Sequence, residues 1–240
     1  MCPARFFGNM VRSRFSTSGV QGPLYSAMVP SRTQREIEVK LRVQDLPSLM
    51  DKLRQTGAAC EGRVFEQNSL YDTPGEDFRR RGRLLRLRTR RPAPAGRLRG
   101  GSRQVVMTSK APVPASRSRY KERFERELVL PTRGRWHARL LLLGLRPGFC
   151  YERYRTTFRL PGLHIEVDQT PIGVFLELEG APRAIDRTAR ALGFSHRDYI
   201  QSTYFELFQA ERRRRGRFPK NMQFRTKKSA RACTLALTNP

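Results

Sequence analysis

The stretch REIEVKLRV, Arg35 to Val43, alternates Glu36, Glu38 and Lys40 with Ile37, Val39 and Leu41. Residues two apart in a strand share a face, so one face is apolar while the other carries two carboxylates and an amine in a row. That pattern fits a solvated sheet face. It also fits a strand whose charged face lines a site, and the rest of the chain decides between the two.

The alternation recurs. Period-2 runs predict strands near 35–43, 61–73, 83–91, 103–111, 119–130, 149–160, 163–170 and 173–180. Four helical stretches lie among or after them. Asp45 can cap a helix with an apolar stripe of Leu46, Leu49, Met50 and Leu53, ended by Gly57. TRGRWHARLLLLG stops at Gly144, PRAIDRTARALG stops at Gly193, and DYIQSTYFELFQ covers 198–209. Many sequential strands with few helices predict an α+β fold, an antiparallel sheet or barrel connected by hairpins.

Nearly every predicted strand carries an ordered charge pair on one face. Arg86, Arg88 and Arg90 share a face opposite Leu85 and Leu87. Thr108 and Lys110 share one, as do Arg123, Glu125 and Glu127, Arg153 and Arg155, Glu166 and Asp168, and Glu177 and Glu179. A wet face usually mixes Thr, Ser, Gln and Lys, whereas several of these strands are purely acidic or purely basic. Facing inward in a closed barrel they would line one chamber. Removing charges from water costs several kcal/mol each unless they are paired or bind something. Arginine forks and lysine ammoniums suit a polyphosphate, and clustered carboxylates suit a hard divalent cation.

The 240 residues suffice for one ordinary domain or two small ones. Lys and Arg number 48 against 21 acids, a net charge of +27. Residues 1–35 hold five Arg and no acid, and residues 209–240 hold ten Lys or Arg against Glu211. The middle remains basic and must face an anion: phosphate, nucleic acid or a membrane surface. Cys2, Cys60, Cys150 and Cys233 show no metal-ligand spacing, and His137, His164 and His196 read as packing or surface residues. No run approaches the roughly 20 apolar residues of a membrane helix, and no GxxxxGK[ST] loop occurs.

The first 28 residues have the acid-poor, Arg- and Ser-rich composition of a transit peptide or of an over-extended start. Because the sequence from Met28 makes sense alone, the second reading is preferred. The expected organisation is an N-terminal extension over 1–34, a folded domain over 35–209, and a basic, disordered tail over 210–240 that is dispensable for catalysis and able to touch nucleic acid weakly. The expected location is cytoplasmic.

Taken in order, EIEVK (Glu36-x-Glu38-x-Lys40), SLYDTP, LLRLRTR, MTSK, RFERE, YERYR, IEVDQTPIGVFLELEG and STYFEL resemble the CYTH superfamily, the triphosphate tunnel metalloenzymes. The resemblance runs over about 36–208. It implies an eight-stranded antiparallel β-barrel with a charged interior and helices outside. It further implies Glu36, Glu38, Asp168, Glu177 and Glu179 as metal ligands, with Glu125 and Glu127 on a further lining strand as additional metal-site residues. Lys40, Arg86, Arg88, Lys110 and Arg155 are the implied triphosphate binders, joined by Arg153 and Arg123. Glu38, Lys40 and Arg155 are the implied catalytic residues, and Tyr71 and Asp72 would order the rim. Three features depart from relatives: a long basic loop follows Arg90, Ala111-Pro112 stands where relatives often have Gly-Pro, and a late lysine has no clear match.

The implied activity is hydrolysis of inorganic triphosphate, thiamine triphosphate or a nucleoside triphosphate with Mg²⁺ or Mn²⁺. The alternative is a class IV adenylyl cyclase making cyclic AMP and pyrophosphate from ATP. A third reading, a basic RNA-binding protein, is opposed by the scarcity of aromatics among the basic residues and by the ordered acids. The expected partner is a triphosphate-containing small molecule, with no membrane involved and a homodimer left open.

Overall fold

Strand β1 (Gln34–Val43) is buried on both faces. The computed structural model describes residues 33–93, 103–114, 118–216 and 219–224. Val39 and Leu41 point outward beneath α1 (Leu46–Gln55) and α4 (Pro182–Ala191), packing with Leu49, Leu53, Ile185 and Ala189. Fully burying a side chain such as Leu53 or Ile185 contributes about 1.5–3 kcal/mol, so this outer layer is a true core. Glu36, Glu38 and Lys40 face the other way and are also buried.

The remaining strands are β2 (Ala59–Asp72), β3 (Leu84–Pro92), β4 (Gln104–Pro112), β5 (Lys121–Leu130), β6 (Arg146–Leu160), β7 (Leu163–Thr170) and β8 (Gly173–Gly180). They close into a barrel in the order β1-β5-β4-β3-β2-β6-β7-β8, with every pairing antiparallel. All eight strands expected from alternation are present, and closure removes every sheet edge from the body of the barrel. At the β7–β8 end, Gly180 has φ +155, and a Cβ there would lie 2.5 Å from the Gly162 carbonyl oxygen. Only glycine lets the two strands meet so closely.

Helix α1 begins as expected: the Asp45 carboxylate accepts the Ser48 N–H at 3.0 Å, and Gly57 (φ +74) follows its end. A short helix α2 (Asp77–Arg80) was not expected; Asp72 organises it by accepting the Phe78 and Arg79 amides, both at 2.9 Å. Helix α3 (Trp136–Leu142) packs Leu140 against Tyr71 and Leu87.

Helix α5 spans Tyr204–Arg215, later than the expected 198–209. Thr203 and Glu206 form a reciprocal capping box that fixes its start. Upstream, the Ile200 amide is drawn off to the Lys40 carbonyl at 2.8 Å, which keeps that stretch extended.

The expected domain boundary at 209 falls inside α5, and residues 219–224 lie on the barrel. Met222 is fully buried among Phe149, Tyr151, Ile172, Phe175, Tyr204 and Phe208. Its amide donates to the Cys150 carbonyl (3.0 Å) and its carbonyl accepts the Glu152 amide (2.9 Å). This added pairing occupies β6 where β7, which pairs only with Tyr154–Leu160, no longer covers it. The described part of the expected tail is thus helical or docked. Expectations for 1–32, 94–102 and 225–240 lie outside the described residues. Among the described residues, no helix is long and apolar enough to cross a membrane.

Candidate functional site

Strand register converts the inward rows into cross-strand pairs. Lys40 stands opposite Glu177, and Glu38 opposite Glu179 on one side and Lys121 on the other. Lys110 faces Glu125, Glu66 lies between Arg90 and Arg153, and Arg155 faces Asp168. The resulting cavity has a volume of about 350 Å³ and is lined by eight Lys or Arg and seven Glu side chains.

Acids and arginines cluster on different strands and meet across the cavity, where Arg86 Nη2 lies 3.9 Å from Glu125 and 3.7 Å from Glu127 and Arg155 Nη2 lies 2.5 Å from Glu177. Glu36 and Glu38 of β1, Glu125 of β5 and Glu177 and Glu179 of β8 form an acidic side. Lysines tie it together: Lys110 Nζ reaches Glu36 at 2.5 and 2.6 Å and Glu125 at 3.3 Å. Lys121 Nζ reaches Glu38 at 2.6 Å and Lys40 Nζ reaches Glu177 at 2.9 Å. The opposite side, from β2, β3 and β6, carries Arg86, Arg88, Arg90 and Arg153 around one fully buried carboxylate, Glu66. Glu66 accepts from Arg153 Nε at 2.7 Å and Arg90 Nε at 2.9 Å, with Arg88 Nη1 at 3.4 Å.

Proton affinities register the same imbalance. Burial pushes the Glu36 carboxyl up to about 8, and its neighbours Glu38 and Glu125 add to this against Lys110. Glu38 is held low despite its burial, by Lys121 and Lys40. On the basic side burial and Arg86 pull Arg88 down, with Glu66 opposing them. The acidic corner around Glu36 would therefore gain from a further cation, and the arginine wall from a further anion.

Most of the residues expected from sequence line this cavity: Glu36, Glu38, Lys40, Arg86, Arg88, Lys110, Glu125, Glu127, Arg153, Arg155, Glu177 and Glu179. Two do not. Arg123 turns its guanidinium to the Gly82 carbonyl. Asp168 is fully buried beneath the lining and has both oxygens engaged: Arg155 Nε at 2.7 Å, Arg155 Nη2 at 2.6 Å, Arg153 Nη1 at 2.7 Å and the Tyr204 hydroxyl at 2.6 Å.

Alternation places Arg90 and Glu166 on charged strand faces without a role, and Lys121, Glu66, Tyr151 and Tyr204 join the site beyond the expected residues. Lys121 shares a strand face with Arg123 and Glu125, and Tyr151 with Arg153 and Arg155, so period 2 points to both; Glu66 has no such neighbour on β2. Tyr204 comes from α5 and places its ring 4.6 Å from Lys40 Nζ; no strand period points to it.

The donor set available to a metal is entirely carboxylate oxygen on the acidic side, which suits Mg²⁺ or Mn²⁺ rather than a soft ion. Among the described residues, no three Asp, Glu, His or Cys side chains converge as a metal set. Each lining carboxylate is turned toward a basic side chain instead. The residues therefore fit the metal through their chemistry and the charge surplus at Glu36.

A closed eight-stranded antiparallel barrel with a charged lumen defines the class of fold. The sequence profile of the CYTH domain matches residues 34–204, and the chain belongs to the CYTH family. The PH1819 protein of Pyrococcus horikoshii is 23% identical with a TM-score of 0.61, covering 74% of this chain and 99% of its own. A Vibrio parahaemolyticus protein provisionally named an adenylate cyclase is 20% identical, TM-score 0.59, with coverage of 74% and 99%. A Hippeastrum protein, provisionally an adenylyl cyclase but described as having a dominant triphosphatase activity, is 17% identical, TM-score 0.50, with coverage of 73% and 96%. At these identities the likeness establishes the fold. No curated protein sequence matches the chain.

Proposed function

We propose that this chain is a divalent-metal-dependent hydrolase of a triphosphate: inorganic triphosphate, thiamine triphosphate or a nucleoside triphosphate. The observation that carries the reading is the meeting of an arginine wall and an acidic corner within one cavity. Family membership and the triphosphatase description of the Hippeastrum relative support the same class.

In this reading Arg86, Arg88, Arg153 and Arg155 bind the phosphate chain, with Lys40 and Lys110 completing its neutralisation. Glu36, Glu38, Glu125, Glu127, Glu177 and Glu179 are the side chains available to hold Mg²⁺ or Mn²⁺. When bound, the metal supplies Lewis-acid polarisation of the phosphoryl oxygens. Asp168 acts as a positioning residue, holding Arg153 and Arg155 in place. Water adds to the terminal phosphorus, the bridging P–O bond breaks, and its electron pair leaves with the diphosphate oxygen. Arg155 and Lys40 stabilise the charge gathering on those oxygens, the electrostatic contribution that usually dominates such reactions.

The test incubates the full chain with inorganic triphosphate, thiamine triphosphate and ATP, with Mg²⁺, with Mn²⁺ or with EDTA, and reads products by phosphorus NMR. Orthophosphate release that disappears in EDTA is expected. Cyclic AMP and pyrophosphate from ATP would assign the cyclase activity instead, and no turnover of any of the three would end the triphosphate reading.

A further inference from the structure

The arginine wall holds more donors than acceptors. Arg86 Nε and Arg153 Nη2 are buried without a hydrogen-bond partner. An unmet buried donor costs about 1–3 kcal/mol, so such groups call for an explanation, an absent ligand among them. Tyr151 stands between these two arginines. Its hydroxyl receives Arg86 Nη1 at 3.4 Å, and the Arg153 guanidinium lies 5.9 Å from its ring centre. Tyr151 is 5% exposed and lines the cavity. Among the described residues, nothing accepts the hydrogen of its hydroxyl.

The ring is held firmly. It stacks on Phe149 at 5.7 Å and lies against Tyr204 at 5.8 Å. Behind it, Met222 pairs with the backbone on either side, at Cys150 and Glu152. Burial by itself would raise the phenol's proton affinity, yet Arg86, Arg153 and Arg88 together lower it, which makes the hydroxyl a stronger donor. A residue needed for packing alone would serve as well as phenylalanine here; the oriented hydroxyl is the part that packing leaves unexplained.

We propose that Tyr151 is a further substrate-contacting residue, donating its hydroxyl hydrogen to a phosphoryl oxygen of the triphosphate beside Arg86 and Arg153. A phosphoryl group presents several acceptor oxygens in a tetrahedral array, so it can receive donors from β3 and β6 at once. This inference rests on the triphosphate reading of the cavity.

Tyr151→Phe removes the hydroxyl and keeps the ring. Calorimetric titration of the full chain with inorganic triphosphate, in EDTA, reads the contact without turnover. The expected result is a dissociation constant raised at least tenfold, the range for a hydrogen bond to a charged group, with the barrel still folded by circular dichroism. Difference absorbance gives an independent readout: triphosphate should perturb the tyrosine spectrum of the wild type, and most of that change should vanish in Tyr151→Phe. Wild-type affinity in the variant, or an unaltered tyrosine difference spectrum, would overturn the inference while leaving the triphosphate reading intact. A wild type that neither binds nor hydrolyses triphosphate would overturn both.

Discussion

Asp168→Asn distinguishes a metal ligand from a brace. The carboxylate has no exposed surface and receives three guanidinium bonds at 2.6–2.7 Å and the Tyr204 hydroxyl at 2.6 Å. The substitution keeps the shape, removes the charge, and sets an amide N–H₂ among donors. Breaking a buried ion pair from one side costs about 3–5 kcal/mol, because the other charge stays buried and uncompensated. The lower half of that range is expected, since neither arginine is stranded. Arg153 keeps Glu66 at 2.7 Å, and Arg155 keeps Glu177 at 2.5 Å. For a domain of this size the loss corresponds to a fall of roughly 6–16 °C in Tm. Urea unfolding in EDTA, without triphosphate, measures it with no metal present. A variant that unfolds at the wild-type midpoint but binds Mg²⁺ more weakly would refute the brace and restore Asp168 to the ligand set.

Three further outcomes follow from the same geometry. Glu38→Gln and Glu177→Gln should each lower turnover by orders of magnitude while leaving the barrel folded; steady-state rates with circular dichroism check this, and wild-type turnover in both would displace the site. Met222→Ala should cost about 2–5 kcal/mol in urea unfolding, the range for truncating a fully buried methionine. Truncating the chain before residue 219 should likewise lower the unfolding midpoint, where a dispensable tail would leave it unchanged.

The barrel was legible because charge kept the strand period so strictly. Glu36, Glu38 and Lys40 were separable from Ile37, Val39 and Leu41 by alternation alone, and the same test placed Arg86 with Arg88 and Glu177 with Glu179. What alternation cannot supply is depth along the axis or the partner across the lumen. Asp168 and Glu166 share a face of β7, yet Glu166 lines the cavity and Asp168 lies beneath it under Arg153, Arg155 and Tyr204. That difference is set by shear between strands and by a tyrosine from a helix far along the chain. The start of α5 was readable from the Thr203–Glu206 capping box, but Tyr199 and Ile200 gave a plausible apolar start that backbone pairing to Lys40 overrides. Met222 stood in a segment whose composition is dominated by Lys and Arg, where one buried methionine leaves no periodic trace.

The ion pairs also explain how a lumen so rich in acids and bases is compensated. Lys110 shared by Glu36 and Glu125, Lys121 on Glu38 and Lys40 on Glu177 keep the acidic corner compensated, as Glu66 does for the arginine wall. These pairs contribute little net stability, because the desolvation of both partners offsets most of their attraction. Their consequence is conditional. A phosphate chain that draws Lys40, Lys110 and Arg155 toward itself strips Glu36, Glu125 and Glu177 of their partners, and a divalent cation then becomes the least costly replacement. In the proposed reading each ligand would thereby raise the affinity for the other, and such a coupling is reciprocal. The lining is nearly balanced, with eight Lys or Arg against seven Glu, so in the proposed reading each of its pairs would be open to exchange for a ligand.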